Sequence, residues 1–173
     1  GSVGRPLPGY EAAILDDEGR PLATGLVGHL ALRGPGAFDA YLEPPQRREE
    51  VMASGWFLTG DLAFADATGR VTIAGRRKSM INVAGHKVFP EEVEAVLEAD
   101  PRVARCRVYG VPPPVWGEVV HAEVVPATPD VDVDALRRHC QERLSAHKVP
   151  QRVALVASLP TTQTGKVRRV MDR

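Results

Sequence analysis

Short apolar runs separated by turn-forming residues fill the first part of the chain. Residues 12–15 and 30–32 are apolar, and between them stand the polar run 16–19 and the glycines Gly25 and Gly28. Such spacing is typical of antiparallel strands joined by tight turns, since glycine and aspartate tolerate the backbone angles that turns need. We therefore predict a small antiparallel β subdomain in this part.

A β-hairpin is predicted a little further along. The sequence Asp-Ala-Thr-Gly at 66–69 is a turn signal between apolar runs on either side of it. Asp61 and Ile73 should therefore lie on the neighbouring strands of one hairpin, with Arg76 immediately after it. Before this hairpin, Pro44 and Pro45 predict the start of a short helix, because proline is tolerated in a first helical turn.

Helical and strand patterns alternate in the second half of the chain. Pro90 with two following glutamates predicts a helix start, because acidic side chains suit the positive end of the helix dipole. Asp100 and Pro101 predict the end of that helix. Apolar and polar residues then alternate over 104–109 and 120–124, which predicts two half-buried strands.

A second helix and a last strand complete this half. Apolar residues recur at helical spacing from 133 to 144, and either Asp130 or Asp132 can cap the helix. Residues 153–157 predict the last strand. The order helix, strand, strand, helix, strand predicts a compact α+β unit with an antiparallel sheet.

The charge distribution adds a possible division of the chain. The 173 residues carry no net charge, but residues 1–75 carry a net −4 and residues 76–173 a net +4. The absence of an overall basic excess argues against general binding to nucleic acids or membrane surfaces. The change in charge near residue 76 makes the following residues a hinge candidate.

Cysteine spacing and hydropathy predict the redox state of the cysteines and the cellular location of the protein. Cys106 and Cys140 have neither metal-site spacing nor the density of a disulfide framework, so we expect reduced core residues. No apolar segment is long enough to span a membrane, and the N-terminus does not resemble a signal peptide. The expected location is the cytoplasm.

Four positions could carry chemistry, and each also has an ordinary structural explanation. Asp61 could accept hydrogen bonds from a ribose diol, or it could cap a turn. Arg76 could bind oxygens with its planar guanidinium, or belong to a solvated basic surface. Gly85 could let a thin ligand approach the backbone, or form a turn. Lys166, after Thr164 and Gly165, could bring an ammonium group to a site or simply lie in a loop.

Together these motifs resemble those of a known family. Thr59-Gly60-Asp61, the stretch Gly-Arg-Arg-Lys-Ser-Met-Ile-Asn-Val-Ala-Gly-His-Lys-Val-Phe-Pro-Glu-Glu-Val-Glu at 75–94, and Thr164-Gly165-Lys166 occur in the order found in the adenylate-forming ligases. The resemblance is to the C-terminal portion of that superfamily and is strongest to acyl-CoA and aryl-CoA synthetases. It covers essentially the whole chain.

The resemblance implies a fold, a domain division and roles for individual residues. Residues 1–77 would be the β-rich tail of the AMP-binding N-terminal domain, and residues 78–173 the mobile C-terminal lid. The implied roles are catalysis for Lys166; nucleotide binding for Asp61, Ile73 and Arg76; a hinge at Lys78; a channel for the pantetheine thiol at Ala84, Gly85 and His86; and possible phosphate contacts for Lys87 and Arg169. No metal site is predicted within the chain.

The resemblance also implies the reaction and its participants. ATP and a small carboxylic acid would give an acyl-adenylate, and CoA would then form a thioester; AMP is released, and Mg²⁺ assists. The family's phosphate loop and magnesium-ligand motif do not occur in the sequence, so the chain should need the N-terminal portion of the ligase as its partner and be inactive alone. Alternatives are a carrier protein as thiol acceptor, or a non-catalytic, lid-like binding module.

Overall fold

The computed structural model describes residues 2–36, 40–42, 45–47, 51–112, 117–161 and 167. The chain divides into two compact units, residues 1–77 (unit 1) and residues 78–173 (unit 2). Unit 1 contains β1 (Ser2–Gly4), β2 (Glu11–Leu15), β3 (Gly28–Arg33), β4 (Ala40–Leu42), β5 (Pro45–Arg47), β6 (Met52–Ala53), β7 (Trp56–Ala65) and β8 (Val71–Arg76). Unit 2 contains β9 (Ile81–Val83), β10 (His86–Val88), α1 (Pro90–Glu98), β11 (Val103–Val111), β12 (Val119–Pro126), α2 (Val133–Gln141) and β13 (Arg152–Leu155).

Unit 1 is built on an antiparallel sheet. The strand order is β1-β8-β7-β3-β2, with β6 paired to β7, and β4 pairs with β5 in a separate two-stranded sheet. One buried cluster is formed by residues of four of these strands, Ile14, Leu30, Ala63 and Val71. The predicted β subdomain is therefore present. The predicted helix start at Pro44 and Pro45 is wrong for Pro45, which begins strand β5; residue 44 lies outside the described residues.

The same turn chemistry is used twice in unit 1. The carboxylates of Asp16 and Asp66 each accept backbone N–H bonds from the residues two and four positions later, at 2.8–3.0 Å. Gly19 and Gly69 follow at φ of 79° and 76°, which a side chain disfavours. Each aspartate thus closes its turn locally, and the second turn joins β7 to β8 in the predicted hairpin.

Unit 2 packs both helices against a three-stranded sheet. Val93 and Leu97 of α1, and Leu136 and Cys140 of α2, share one buried cluster with residues of β11, β12 and β13. The helix α2 begins after Asp132, whose side chain accepts the N–H of Asp134. Asp132, and not Asp130, is therefore the cap. The α+β fold class is confirmed.

One strand runs in a direction that was not expected. β11 and β12 are antiparallel, but β13 pairs with β12 in parallel, from His121 opposite Arg152 to Val124 opposite Leu155. The prediction of an antiparallel sheet in this unit is wrong for this strand. The physical reason is the connection, because α2 carries the chain back so that β13 enters from the same end as β12.

Both cysteines are free and buried, as predicted. Burial raises the pKa of the Cys140 thiol to about 11, because the thiolate would lose its hydration in the apolar cluster. Within the described ranges, none of the helices has the length and apolar character needed to cross a membrane.

Candidate functional site

The segment Thr59-Gly60-Asp61 forms an irregular step in the middle of β7. Leu62 pairs with His29 of β3, and Leu58 pairs with Ala31. The chain therefore advances by four residues from 58 to 62 in β7 but by only two residues in β3, which makes this step a bulge. Such bulges bend a strand and re-aim the side chains beside them. Asp61 falls within this irregular step and pairs on the other side of β7 with Arg76 of β8.

Thr59 and Gly60 fix the geometry of this step. The Thr59 hydroxyl donates to the carbonyl of Leu30 at 3.0 Å and accepts the N–H of Asp61 at 3.1 Å. Gly60 has φ of 77°, a left-handed value that an L side chain rarely adopts. The order Thr-Gly-Asp therefore has a local physical reason: Thr59 anchors the bulge, Gly60 supplies its left-handed backbone angle, and Asp61 carries the carboxylate.

Asp61 lies directly opposite Arg76 on β8. The Arg76 Nε lies 2.7 Å from Asp61 Oδ1, and the side chains are 64% and 20% exposed, respectively. The carboxylate is thus sheltered at the base of the pair, and the guanidinium lies at the surface. A carboxylate has about four acceptor positions, so one guanidinium does not exhaust it. The pair can accept hydrogen bonds from a diol and donate to an anionic oxygen.

Ile73 lies elsewhere on the same hairpin. It stands opposite Ala63 and packs, partly buried, against the apolar cluster of unit 1. The structure therefore brings Asp61 and Arg76 together and gives Ile73 a packing role. Its contact with a nucleotide stays a prediction.

Lys78 is an exposed residue in a short 3₁₀ turn, Arg77–Ser79. It is the first residue of unit 2. An exposed residue at a boundary between compact units can change its backbone angles without disturbing a core, which a hinge requires. The hinge role itself stays a prediction.

Ala84 and Gly85 form the two-residue turn between β9 and β10, and both are exposed. Their φ values are 49° and 88°, as a type I′ hairpin turn requires at both central positions. The left-handed region is unfavourable for alanine, so this turn stores strain. Asn82 helps to close it, because its side-chain oxygen accepts the N–H of Gly85 at 2.9 Å.

The residues that follow this turn are also exposed. The His86 ring stacks on His147, with centroids 4.5 Å apart and planes 19° from parallel. Lys87 stands opposite Asn82 in the hairpin. The exposed set 84–87 therefore combines bare backbone, an imidazole and an ammonium group on one short hairpin.

Lys166 and Arg169 lie outside the described residues. The neighbours Thr161 and Val167 form an isolated antiparallel bridge. No group of three or more His, Cys, Asp or Glu side chains that could hold a metal ion occurs in the ranges that the structure describes.

Sequence reasoning missed two residues at the β9–β10 hairpin: Asn82 of β9, and Glu118, which precedes β12 and contacts Asn82. Asn82 could have been found from the sequence, because asparagine often hydrogen-bonds backbone groups two or three residues further on. Glu118 carries no such signal, since it lies 36 positions from the residue that it contacts.

Comparisons with known proteins place this arrangement in a family. Residues 92–166 match the family described as the AMP-binding enzyme C-terminal domain, and residues 1–42 match AMP-binding enzyme. The chain is 40% identical over 170 residues to the probable CoA ligase CCL9 of Humulus lupulus, covering 98% of the chain and 32% of that protein. It is 38% identical over 176 residues to fatty acid–[acyl-carrier-protein] ligase ScoC of Streptomyces coeruleorubidus, covering 99% and 34%.

A solved structure gives the same result. The chain resembles o-succinylbenzoate CoA synthetase from Bacillus subtilis in complex with the acyl-adenylate intermediate OSB-AMP, with a TM-score of 0.88 and 33% identity over 96% of this chain and 34% of that one. The chain spans about a third of the length of the relatives that it matches. The chain belongs to the adenylate-forming, AMP-binding ligase superfamily and corresponds to the C-terminal portion of its members.

Proposed function

We propose that the chain serves as the C-terminal portion of an ATP-dependent acyl-CoA or aryl-CoA ligase. The observation that carries this proposal is the Asp61–Arg76 pair, which is presented by a bulged strand and lies at the position that the family resemblance gives to nucleotide binding. In the first step of the proposed reaction, a carboxylate oxygen bonds to the α-phosphorus of ATP, and pyrophosphate leaves to give the acyl-adenylate. A thiol then displaces AMP.

The pair has the chemistry that a ribose needs. The two hydroxyls of a ribose can both donate to the Asp61 carboxylate, and hydrogen bonds to a charged group each contribute about 1.5–3 kcal/mol. Arg76 stands beside it with a largely exposed guanidinium, which can donate to a ribose or phosphate oxygen. Because Thr59 and the bulge hold the backbone of Asp61, little backbone rearrangement would be needed on binding.

Unit 2 is proposed to act as the lid. In this proposal residues 1–77 end the AMP-binding domain, residues 78–173 turn about Lys78, and Lys166 supplies positive charge while the adenylate forms. In the second step the Ala84–Gly85 turn and His86 would line the thiol channel, with Lys87 and Arg169 as phosphate contacts. The exposure of 84–87 supports this, because a thin ligand could reach that backbone directly.

Participants outside this chain complete the proposal. ATP and its Mg²⁺ would be held mainly by residues of the N-terminal portion, and CoA is the proposed thiol. A carrier-protein phosphopantetheine is the second candidate, supported by the similarity to ScoC. A non-catalytic binding module is the remaining alternative and makes a different experimental prediction.

The test uses the ligase in which this chain is joined to its N-terminal portion. Pyrophosphate exchange into ATP is measured with palmitate, oxalate and anthranilate in turn, and thioester formation is measured with CoA and with a phosphopantetheinylated carrier protein. We expect exchange with one acid class and thioester on CoA. Exchange with none of a broad acid panel, despite ATP binding, would favour the binding module.

A matched pair of substitutions tests the site itself. Arg76→Gln should lower the adenylation rate, because it replaces the charged guanidinium beside Asp61 by a shorter, neutral amide. Arg70→Gln is the control, since Arg70 is an exposed arginine near the turn end of the same hairpin. Equal adenylation rates in the two variants would show that the Asp61–Arg76 pair does not take part in nucleotide binding.

A further inference from the structure

The β9–β10 hairpin is too small to hold its shape alone. Each strand has three residues, and only Ile81 and Val88 are buried. Isolated two-stranded hairpins are marginal in water, and this one also contains Ala84 in the left-handed region. Its conformation must therefore be supported by another part of unit 2.

The register shows where this support is needed. In a hairpin with a two-residue turn, Val83 and His86 form the hydrogen-bonded pair beside the turn. The next pair, Asn82 and Lys87, is then not hydrogen-bonded, so the N–H and C=O of Asn82 point away from β10. Backbone groups directed outward need partners from another segment.

Glu118 supplies both partners. Its side-chain Oε2 accepts the N–H of Asn82 at 2.8 Å, and its own N–H donates to the Asn82 carbonyl at 2.9 Å. The Asn82 side chain in turn accepts the N–H of Gly85 at 2.9 Å. A continuous set of hydrogen bonds therefore runs from Glu118 through Asn82 to the turn.

Two glycines make this close approach possible. A Cβ on Gly117 would lie 3.2 Å from the Ala84 nitrogen and 3.4 Å from the Asn82 carbonyl oxygen. A Cβ on Gly110 would lie 2.9 Å from the Glu118 carboxylate oxygen. The 3.2 Å and 2.9 Å distances are shorter than ordinary van der Waals contacts. Positions 110 and 117 therefore fit glycine, which has no Cβ.

We propose that Glu118 is a positioning residue for the thiol step: it holds the Ala84–Gly85 turn in the conformation that accepts the pantetheine arm. The inference rests on the proposed function, and it adds a residue that contacts neither nucleotide nor thiol. Glu118 acts through Asn82, because removing its carboxylate leaves the Asn82 N–H without its partner and frees the strained turn to relax.

The kinetic test separates the two half-reactions in the joined ligase. Glu118→Ala should lower kcat/KM for CoA about tenfold, mainly through KM, and leave pyrophosphate exchange within about twofold of the unaltered enzyme. Glu118→Gln keeps an oxygen acceptor and should restore most of the loss. Glu142→Ala, which removes an exposed glutamate at the end of α2, is the matched control and should change neither step.

A rescue variant distinguishes positioning from chemistry. Ala84→Gly removes the left-handed strain, so it should recover part of the CoA step when combined with Glu118→Ala. A group that took part in the reaction could not be replaced in this way. Failure of both Glu118→Gln and Ala84→Gly to restore any activity would overturn the positioning role.

A structural test on the 173-residue chain does not depend on activity. Amide hydrogen exchange followed by NMR should be several-fold faster at Asn82 and Gly85 in Glu118→Ala, with Val124 of the central strand unchanged. Unchanged exchange at both amides, or equal loss of both half-reactions, would overturn the inference. If the unaltered ligase forms no adenylate, the proposed function fails and the thiol role fails with it, while the exchange result still decides whether Glu118 supports the hairpin.

Discussion

Replacing Asp100 by asparagine removes a buried carboxylate that Arg102 holds at the end of α1. The Arg102 N–H and Nε donate to Asp100 Oδ1 at 3.0 and 2.9 Å, and Nη2 donates to Oδ2 at 2.6 Å. The Asp100 side chain is 4% exposed and that of Arg102 is 37% exposed. His139 of α2 lies 3.7 Å from the same carboxylate, so the charge also faces the second helix.

The structure sets the size and the pH dependence of the effect. Hydrogen bonds from the Arg102 side chain, followed by its backbone N–H and the charges of Arg102 and His139, lower the Asp100 pKa from 3.8 to about 2 against the cost of burial. A pKa lowered by roughly two corresponds to at most about 2–3 kcal/mol of stabilisation of the folded state. Because Arg102 is partly exposed to solvent, which screens the pair, we expect a loss of about 1–2 kcal/mol in Asp100→Asn.

The sign of the pH dependence follows from the lower folded pKa. The stabilisation by Asp100 is fully present above about pH 5, well above the unfolded pKa of 3.8, and is lost as the pH falls through the folded pKa of about 2, because the carboxyl must then bind a proton. The difference in unfolding free energy between Asp100→Asn and the unaltered chain should therefore be largest at pH 7. It should fall to about half near pH 3.

The two buried cysteines provide an assay specific to unit 2. Cys106 and Cys140 both lie in its core, so pulse labelling with dithiodipyridine along a urea titration reports the opening of this unit. Asp130→Asn is the control, because Asp130 is exposed, and it should change the unfolding free energy by less than about 0.5 kcal/mol. An Asp100→Asn effect of the same size at pH 7 and pH 3 would refute the linkage argument.

Three further predictions concern other parts of the chain. Gly60→Ala should destabilise unit 1 by about 1–2 kcal/mol through backbone strain alone, because the added Cβ would meet open space. Urea unfolding followed by Trp56 fluorescence in a Trp116→Phe background measures this effect. An unchanged unfolding midpoint would contradict the prediction. In the joined ligase, Lys78→Pro should slow thioester formation far more than adenylate formation, since proline fixes φ at the proposed pivot; equal losses would exclude the hinge role. Lys166→Ala should lower the adenylation rate by about 10²–10³ and spare thioester formation from supplied acyl-adenylate, whereas an adenylation rate within a few-fold of normal would leave Lys166 as a loop residue.

Features that depend on nearby residues were determined by the sequence itself. The turns at Asp16 and Asp66, the β7–β8 hairpin and the start of α1 at Pro90 all follow from side-chain chemistry within a few positions. The juxtaposition of Asp61 with Arg76 was also foreseeable in outline, because a short hairpin places its two ends side by side. The bulge in β7 was not foreseeable, since it depends on how β3 pairs with β7.

Features that join distant segments were decided only by the tertiary structure. Alternation along β11 did not predict that Arg107 would be buried, because its burial accompanies pairing with Glu123 on the neighbouring strand. The parallel direction of β13 depends on the path of α2. The Glu118–Asn82 contact spans 36 positions and requires β11, β12 and β9 to be already assembled. Local periodicity specifies which face of an element is apolar, whereas the packing of several elements decides which polar groups meet.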